Sequence, residues 1–255
     1  MRRLESVAVH CERLHDDRVW YLVERVARAA ANRGQFFTFF IHPFWPALAG
    51  CDISERARRL AVLGHEVGQH THYYDAATTM VPFRKRTDLN TENVVRRLND
   101  DYVSLMRAGV RPRGFVSGAW ALPDVLPRWL AEHGFSYDCT YRTHAPPQPN
   151  RASRPDDRAA GPFPLENGVL EVPTTASLRA AAMGLLRPRR QQPLLARLAD
   201  VEYRSTYLHD HDLLDVRKRG ALAGLLWTAR WRKWPISRSD ELAELIRPLV
   251  DRTAR

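Results

Sequence analysis

The chain has 255 residues, 44% of them hydrophobic and 27% charged, which excludes wholesale disorder and allows a sizeable core without disulfide or metal staples. Its net charge of +10 favours anionic partners, yet arginine is dispersed through nearly every segment and no nucleic-acid-binding module accompanies it, so nucleic acid is not expected as a partner. Three widely spaced cysteines, Cys11, Cys51 and Cys139, with no C-x-x-C pair, exclude a zinc ribbon or disulfide framework and fit a reducing compartment. Met1-Arg2-Arg3-Leu4-Glu5 has no apolar run behind it, and no stretch approaches the ~20 apolar residues of a membrane span. A cytoplasmic protein without stable membrane insertion is the expectation.

Residues 6–11 read as a first strand. Asp16 and Asp17 are placed to cap a helix reaching about Asn32, with Val19, Leu22, Val23 and Val26 on one face and Gly34 behind its end. Residues 35–42 (QFFTFFIH) form an apolar, aromatic run of the kind a buried parallel strand needs, and Pro43 and Pro46 then break the chain. A short helix over 53–63 closes at Gly64, and 65–71 re-enters the sheet. Residues 78–88 lack periodicity and read as a loop. Asn90-Thr91-Glu92 opens a helix to about Ala108. A strand over 114–117, a helix between Pro123 and Gly134, and a strand over 135–141 follow. Residues 144–164, rich in Pro, Arg, Asp and Ala, read as an exposed loop. Late strands are expected over 170–174 and 203–209, and a helical period over 222–234 turns Leu225, Leu226 and Trp227 inward. Ser237 caps a last helix over 239–249. Strands alternating with helices, without an internal repeat or clear linker, predict one α/β domain over 1–255.

The densest chemical cluster is Gly64-His65-Glu66-Val67-Gly68-Gln69-His70-Thr71-His72-Tyr73-Tyr74-Asp75, with three histidines and two acids in eleven residues. In an extended segment His70 and His72 project to one face, where both can reach one ion. The plainer alternative is one hydrogen-bonded core histidine and one exposed one. His10-Cys11-Glu12 ends strand one, and carboxyl ends of parallel strands line ligand sites. Glu12 is there a candidate carboxylate ligand, and His10 or Cys11 a base or further ligand. His209 ends another β-like run, followed by Asp210, His211 and Asp212. A histidine so placed can serve as a general acid, oriented by a neighbouring Asp. Trp120, after Gly118-Ala119, is a candidate to stack on a sugar ring.

Together these segments resemble the polysaccharide deacetylase, or NodB-homology, family over most of the chain. Residues 64–71 resemble its G-H-E-I-G-x-H-T motif most specifically. Residues 35–41 resemble its A-T-F-F-V strand, Arg111-Pro112-Arg113-Gly114-Phe115 its Arg-rich substrate strand, and Phe135-Ser136-Tyr137-Asp138 its G-Y-x-Y-D element. Leu208-His209-Asp210 and residues 234–242 resemble the late L-H-D and W-x-S-x-x-E-L segments. The resemblance implies a distorted (β/α) barrel of about seven strands and metal-dependent removal of an acetyl or other acyl group from an amino sugar or related amide. It implies zinc or another divalent ion held by Glu12 and His70, His209 as the acid, and Arg113 in the substrate strand. Beside it, the residues themselves offer His72 as the third ligand by its parity with His70, Trp120 as a substrate contact, and Glu12, His10 or a water relay as the base. The substrate would be a small molecule or glycan, with phosphorylated or lipid-linked forms compatible with the basic charge. The departures are Cys11 where the family has its catalytic Asp, and Tyr74 where it has its second metal histidine. They carry an alternative, a catalytically degenerate carbohydrate-binding or regulatory module. A third reading is a hydrolase of cyclic or formyl amides on the same fold.

Overall fold

The structure is a computed structural model that describes residues 2–75, 87–141, 162–165, 168–177, 196–198, 201–214 and 236–253. The helix expected over 222–234, with Leu225, Leu226 and Trp227, and most of the loops expected over 78–88 and 144–164 lie outside these residues.

Strand β1 (Arg2–Cys11) is central. It pairs in parallel along its length with β10 (Val201–His209). On its other edge, β2 (Thr38–Ile41) takes residues Ala8 to Cys11, and β11 (Ile236–Ser237) takes Glu5 and Ser6. From β2 the sheet continues in parallel through β3 (Glu66–Thr71), β4 (Gly114–Ser117), β5 (Tyr137–Asp138) and β7 (Leu170–Glu171). Beyond β10 lies β8 (Ala176–Ser177), also parallel. Two antiparallel strands, β6 (Phe163–Pro164) on β7 and β9 (Ala196–Leu198) on β10, finish the sheet. The described row of parallel strands, β7-β5-β4-β3-β2-β1-β10-β8, is curled as in a distorted (β/α) barrel. The sequence predicts about seven strands; eleven are described, because two-residue strands such as β8 and β11 leave no periodic signal.

Helix α1 (Asp17–Ala31) begins where Asp16 accepts the amide of Arg18, and it buries Val19, Leu22, Val23 and Val26 as the sequence predicts. Pro43 does not simply break the chain: a short helix, α2 (Phe44–Leu48), follows it. Helix α3 (Ser54–Val62) covers β3, and α4 (Thr91–Arg107) starts at Asn90, whose side chain accepts the amide of Asn93. Helix α5 (Leu126–Glu132) and the last helix, α6 (Ser239–Thr253), complete the described set. No helix among the described residues is long and apolar enough to cross a membrane.

Alternation along β1 divides the core. Val7, Val9 and Cys11 pack with α1 and α3, while Leu4 and Ala8 face the barrel interior with Phe40, Val116, Tyr137 and Tyr207. At the amino ends of the strands, buried Glu66 accepts Thr38 Oγ1 (2.7 Å), Tyr137 Oη (2.6 Å) and the amide of Asp240 (3.1 Å). The motif's carboxylate thereby pins the start of α6 under the barrel. His65 is likewise structural: its Nδ1 accepts Phe37 N–H and its Nε2 donates to Ala27 O. The carboxyl ends of the strands are left to carry chemistry.

Candidate active site

Four chain segments meet at those carboxyl ends. β1 delivers His10 and, just past its end, Glu12; β3 delivers His70 and, just past its end, His72; the turn after β4 delivers Gly118 to Trp120, and β10 delivers His209. Glu12 Oε1, His70 Nε2 and His72 Nε2 converge. The two histidine nitrogens are 3.1 Å apart, and Glu12 Oε1 lies 3.1 Å from His72 and 3.5 Å from His70. Ligand atoms around a tetrahedral ion with bonds of about 2.0–2.1 Å sit about 3.3 Å from one another, so these three residues fit a divalent cation. Their chemistry agrees. His70 Nδ1 donates to Val116 O (2.9 Å), which leaves Nε2 a bare lone pair in the neutral ring.

The electrostatics point the same way. Burial pushes the Glu12 carboxyl up, but hydrogen bonds and charge from His70 and His72 outweigh it and hold Glu12 well below the usual carboxylate range. Burial drives His72 down to about 3, against the pull of Glu12. Glu12 is thereby held as a carboxylate and His72 as a neutral imidazole, the forms in which a cation binds.

The packing behind the set is specific. The Tyr74 ring stacks on His72 at 5.1 Å and 14°. Trp45 Nε1 donates to Tyr74 Oη (3.4 Å). Arg97 reaches the carbonyl of Tyr74 and covers Phe44, its guanidinium 4.2 Å from the ring centre. Gly118 lies against His72 so closely that a Cβ there would stand 2.2 Å from the ring. Immediately after it, Ala119 and Trp120 both adopt left-handed backbone, with φ of 53° and 58°. Such strain collects at functional sites, and here it turns the indole toward His10 (5.4 Å) and Tyr207 (4.9 Å).

His209 Nε2 lies 3.8 Å from Glu12 Oε1, beyond the spacing of the converging three. Its Nδ1 is 3.5 Å from Asp212, which also accepts the His209 amide. Asp212, not the adjacent Asp210, is the orienting carboxylate. Asp210 instead accepts the amides of Arg13 and His211. His209, His211 and Asp212 form a second, looser group of possible metal-binding side chains.

Three expectations change. Arg113 lies at the amino end of β4, where it pairs with Glu244 of α6 at 3.0 Å, so it stands apart from the other candidates. Cys11 faces the helices, fully buried, and burial first, then Asp210 and Glu12, push its thiol well up. His10, not Cys11, is the residue of that pair turned into the site. Tyr74 supports His72 rather than replacing it. Two groups were missed in the sequence. Asp101 of α4 accepts Thr71 Oγ1 (2.7 Å), and His42 Nδ1 lies 3.4 Å from it and 3.1 Å from His70 O.

Burial raises the Asp101 carboxyl to about 7. A carboxyl raised on folding stabilises the fold most below its unfolded value, and that contribution is lost as pH rises through the folded one. Wild type is therefore expected to lose stability relative to Asp101→Asn between about pH 4 and 7, at up to about 1.4 kcal/mol per pH unit. Melting temperatures of both proteins from pH 4 to 9 check this, and parallel curves would refute it.

No family signature matches this chain, and no curated protein matches it in sequence. Solved structures do match. One is a candidate polysaccharide deacetylase from Mycobacterium smegmatis, with TM-score 0.59, 17% identity, and 96% of this chain and 90% of that one covered. Another is the Puue allantoinase, with TM-score 0.61, 15% identity, and coverage of 96% and 90%. A third is a CE4-family pseudoenzyme from Bacillus anthracis, with TM-score 0.55, 9% identity, and coverage of 95% and 66%. At such identities it is the fold that is shared. The fold is that of the polysaccharide deacetylases, in strongly divergent sequence.

Proposed function

We propose that the protein is a metal-dependent hydrolase that removes an acetyl or other acyl group from an amino sugar or a related small amide. The observation that carries this reading is the convergence of Glu12 Oε1, His70 Nε2 and His72 Nε2 within 3.1–3.5 Å of one another at the carboxyl ends of the strands. Glu12, His70 and His72 would hold zinc or another divalent ion, which supplies Lewis-acid polarisation of the acyl carbonyl and an acidified water. A general base, Glu12, His10 or a relaying water, takes the proton of the attacking water. Asp212 holds His209 with Nε2 toward Glu12, and His209 gives its proton to the departing amine. Trp120 offers its indole to the substrate ring. Cys11 takes no part, because its thiol faces the helices.

The same reading treats 1–255 as one domain acting in the cytoplasm, on a small-molecule or glycan substrate that can be phosphorylated or lipid-linked. The dispersed positive charge supports the last point. A second reading, a degenerate binding module, is favoured by the pseudoenzyme of the same fold and by the absence of a carboxylate at position 11. His209→Ala separates them. Under the hydrolase reading, kcat on N-acetylated amines falls by about 100-fold or more with zinc content unchanged. A wild type that binds zinc yet hydrolyses none of a panel of acetylated, formylated and cyclic amides would favour the module.

A further inference from the structure

His10 is turned toward the same end of the barrel as the converging ligands but belongs to neither group of possible metal-binding side chains. It is 2% exposed, and its Nε2 is buried with no hydrogen-bond partner. Its ring stacks on Tyr207 (5.3 Å, 23°) and lies 5.4 Å from Trp120, 5.1 Å from His70 and 5.3 Å from His209. A phenyl ring could fill such aromatic surroundings with no polar atom left unpaired, whereas an unpaired buried nitrogen destabilises the fold. The ring that carries this nitrogen lies against both a proposed metal ligand, His70, and the proposed acid, His209.

We propose that His10 Nε2 hydrogen-bonds a polar substituent on the substrate's acyl group, in a subsite walled by Trp120 and Tyr207. The substrate class is then an amide whose acyl group carries a hydroxyl or similar group beside the carbonyl, such as an N-glycolyl amine, rather than plain acetyl. This rests on the hydrolase reading above. The left-handed backbone at Ala119 and Trp120 serves the same subsite, because it sets the indole against His10.

The test is calorimetric titration of the zinc-loaded full chain with glycolate and with acetate, the acids that the two amides release. Glycolate is expected to bind wild type about tenfold more tightly than acetate. The gap is expected to close to about threefold or less in His10→Phe and to persist in His10→Gln, with zinc content unchanged. Equal affinities in wild type, no measurable binding of either acid, or a gap that survives His10→Phe would overturn the subsite alone. Zinc lost in His10→Phe would assign His10 to the metal set instead. A chain that takes up no zinc overturns the hydrolase reading, and the subsite with it.

Discussion

Gly118→Ala is expected to lower zinc affinity by about 100-fold while leaving the melting temperature within a few degrees of wild type. The added Cβ would lie 2.2 Å from His72 Cγ and 2.4 Å from its Cδ2 and Nδ1. The clash falls on the root of the ring, so the whole imidazole must move rather than its tip. Tyr74 is stacked on the same ring at 5.1 Å, which restricts where it can go. A shift of about 1 Å separates Nε2 from the other two ligand atoms, and misplacements of that size are costly in a preorganised site. Titration of zinc into both proteins reads the effect directly. Unchanged affinity in Gly118→Ala would mean that His72 is not a ligand.

The larger effect is expected from the carboxylate. Glu12→Gln keeps the shape of the side chain and removes its charge, so His70 and His72 stay in place while the anion is lost. Amide hydrolysis is expected to fall by about a thousandfold or more, because several kcal/mol of transition-state stabilisation depends on the ion that Glu12 helps to hold. His70→Ala should match it in activity but also cost stability, since His70 is 1% exposed and its Nδ1 ties β3 to Val116 of β4. The pair of variants therefore separates a ligand role from a packing role. Equal stability losses in both, with activity retained, would point to packing alone.

Much of this site was legible in the sequence. His70 and His72 share parity in a strand, as do His10 and Glu12, and alternation alone turns each pair one way. The same rule sends Cys11 to the opposite face, among Val7 and Val9, so its place in a motif did not describe its position in the barrel. Arg113 could have been set aside on similar grounds, since it precedes β4 and the site lies beyond its other end. Helix starts at Asp16 and Asn90 were readable because one side chain caps each locally. Asp101 left no local signal: it meets Thr71 across thirty residues of chain, through packing of α4 on β3. Gly118 was visible only as a glycine before Trp120, and its need to be one depends on where His72 lies. The orienting role of Asp212 over Asp210 turned on the geometry at the end of β10.

The most direct measurement is elemental analysis of the purified chain after zinc reconstitution, with Glu12→Ala and His70→Ala alongside. Near-stoichiometric zinc in wild type, lost in both variants, is the expected result. Wild type without bound metal, or variants that hold it as well as wild type does, would contradict it.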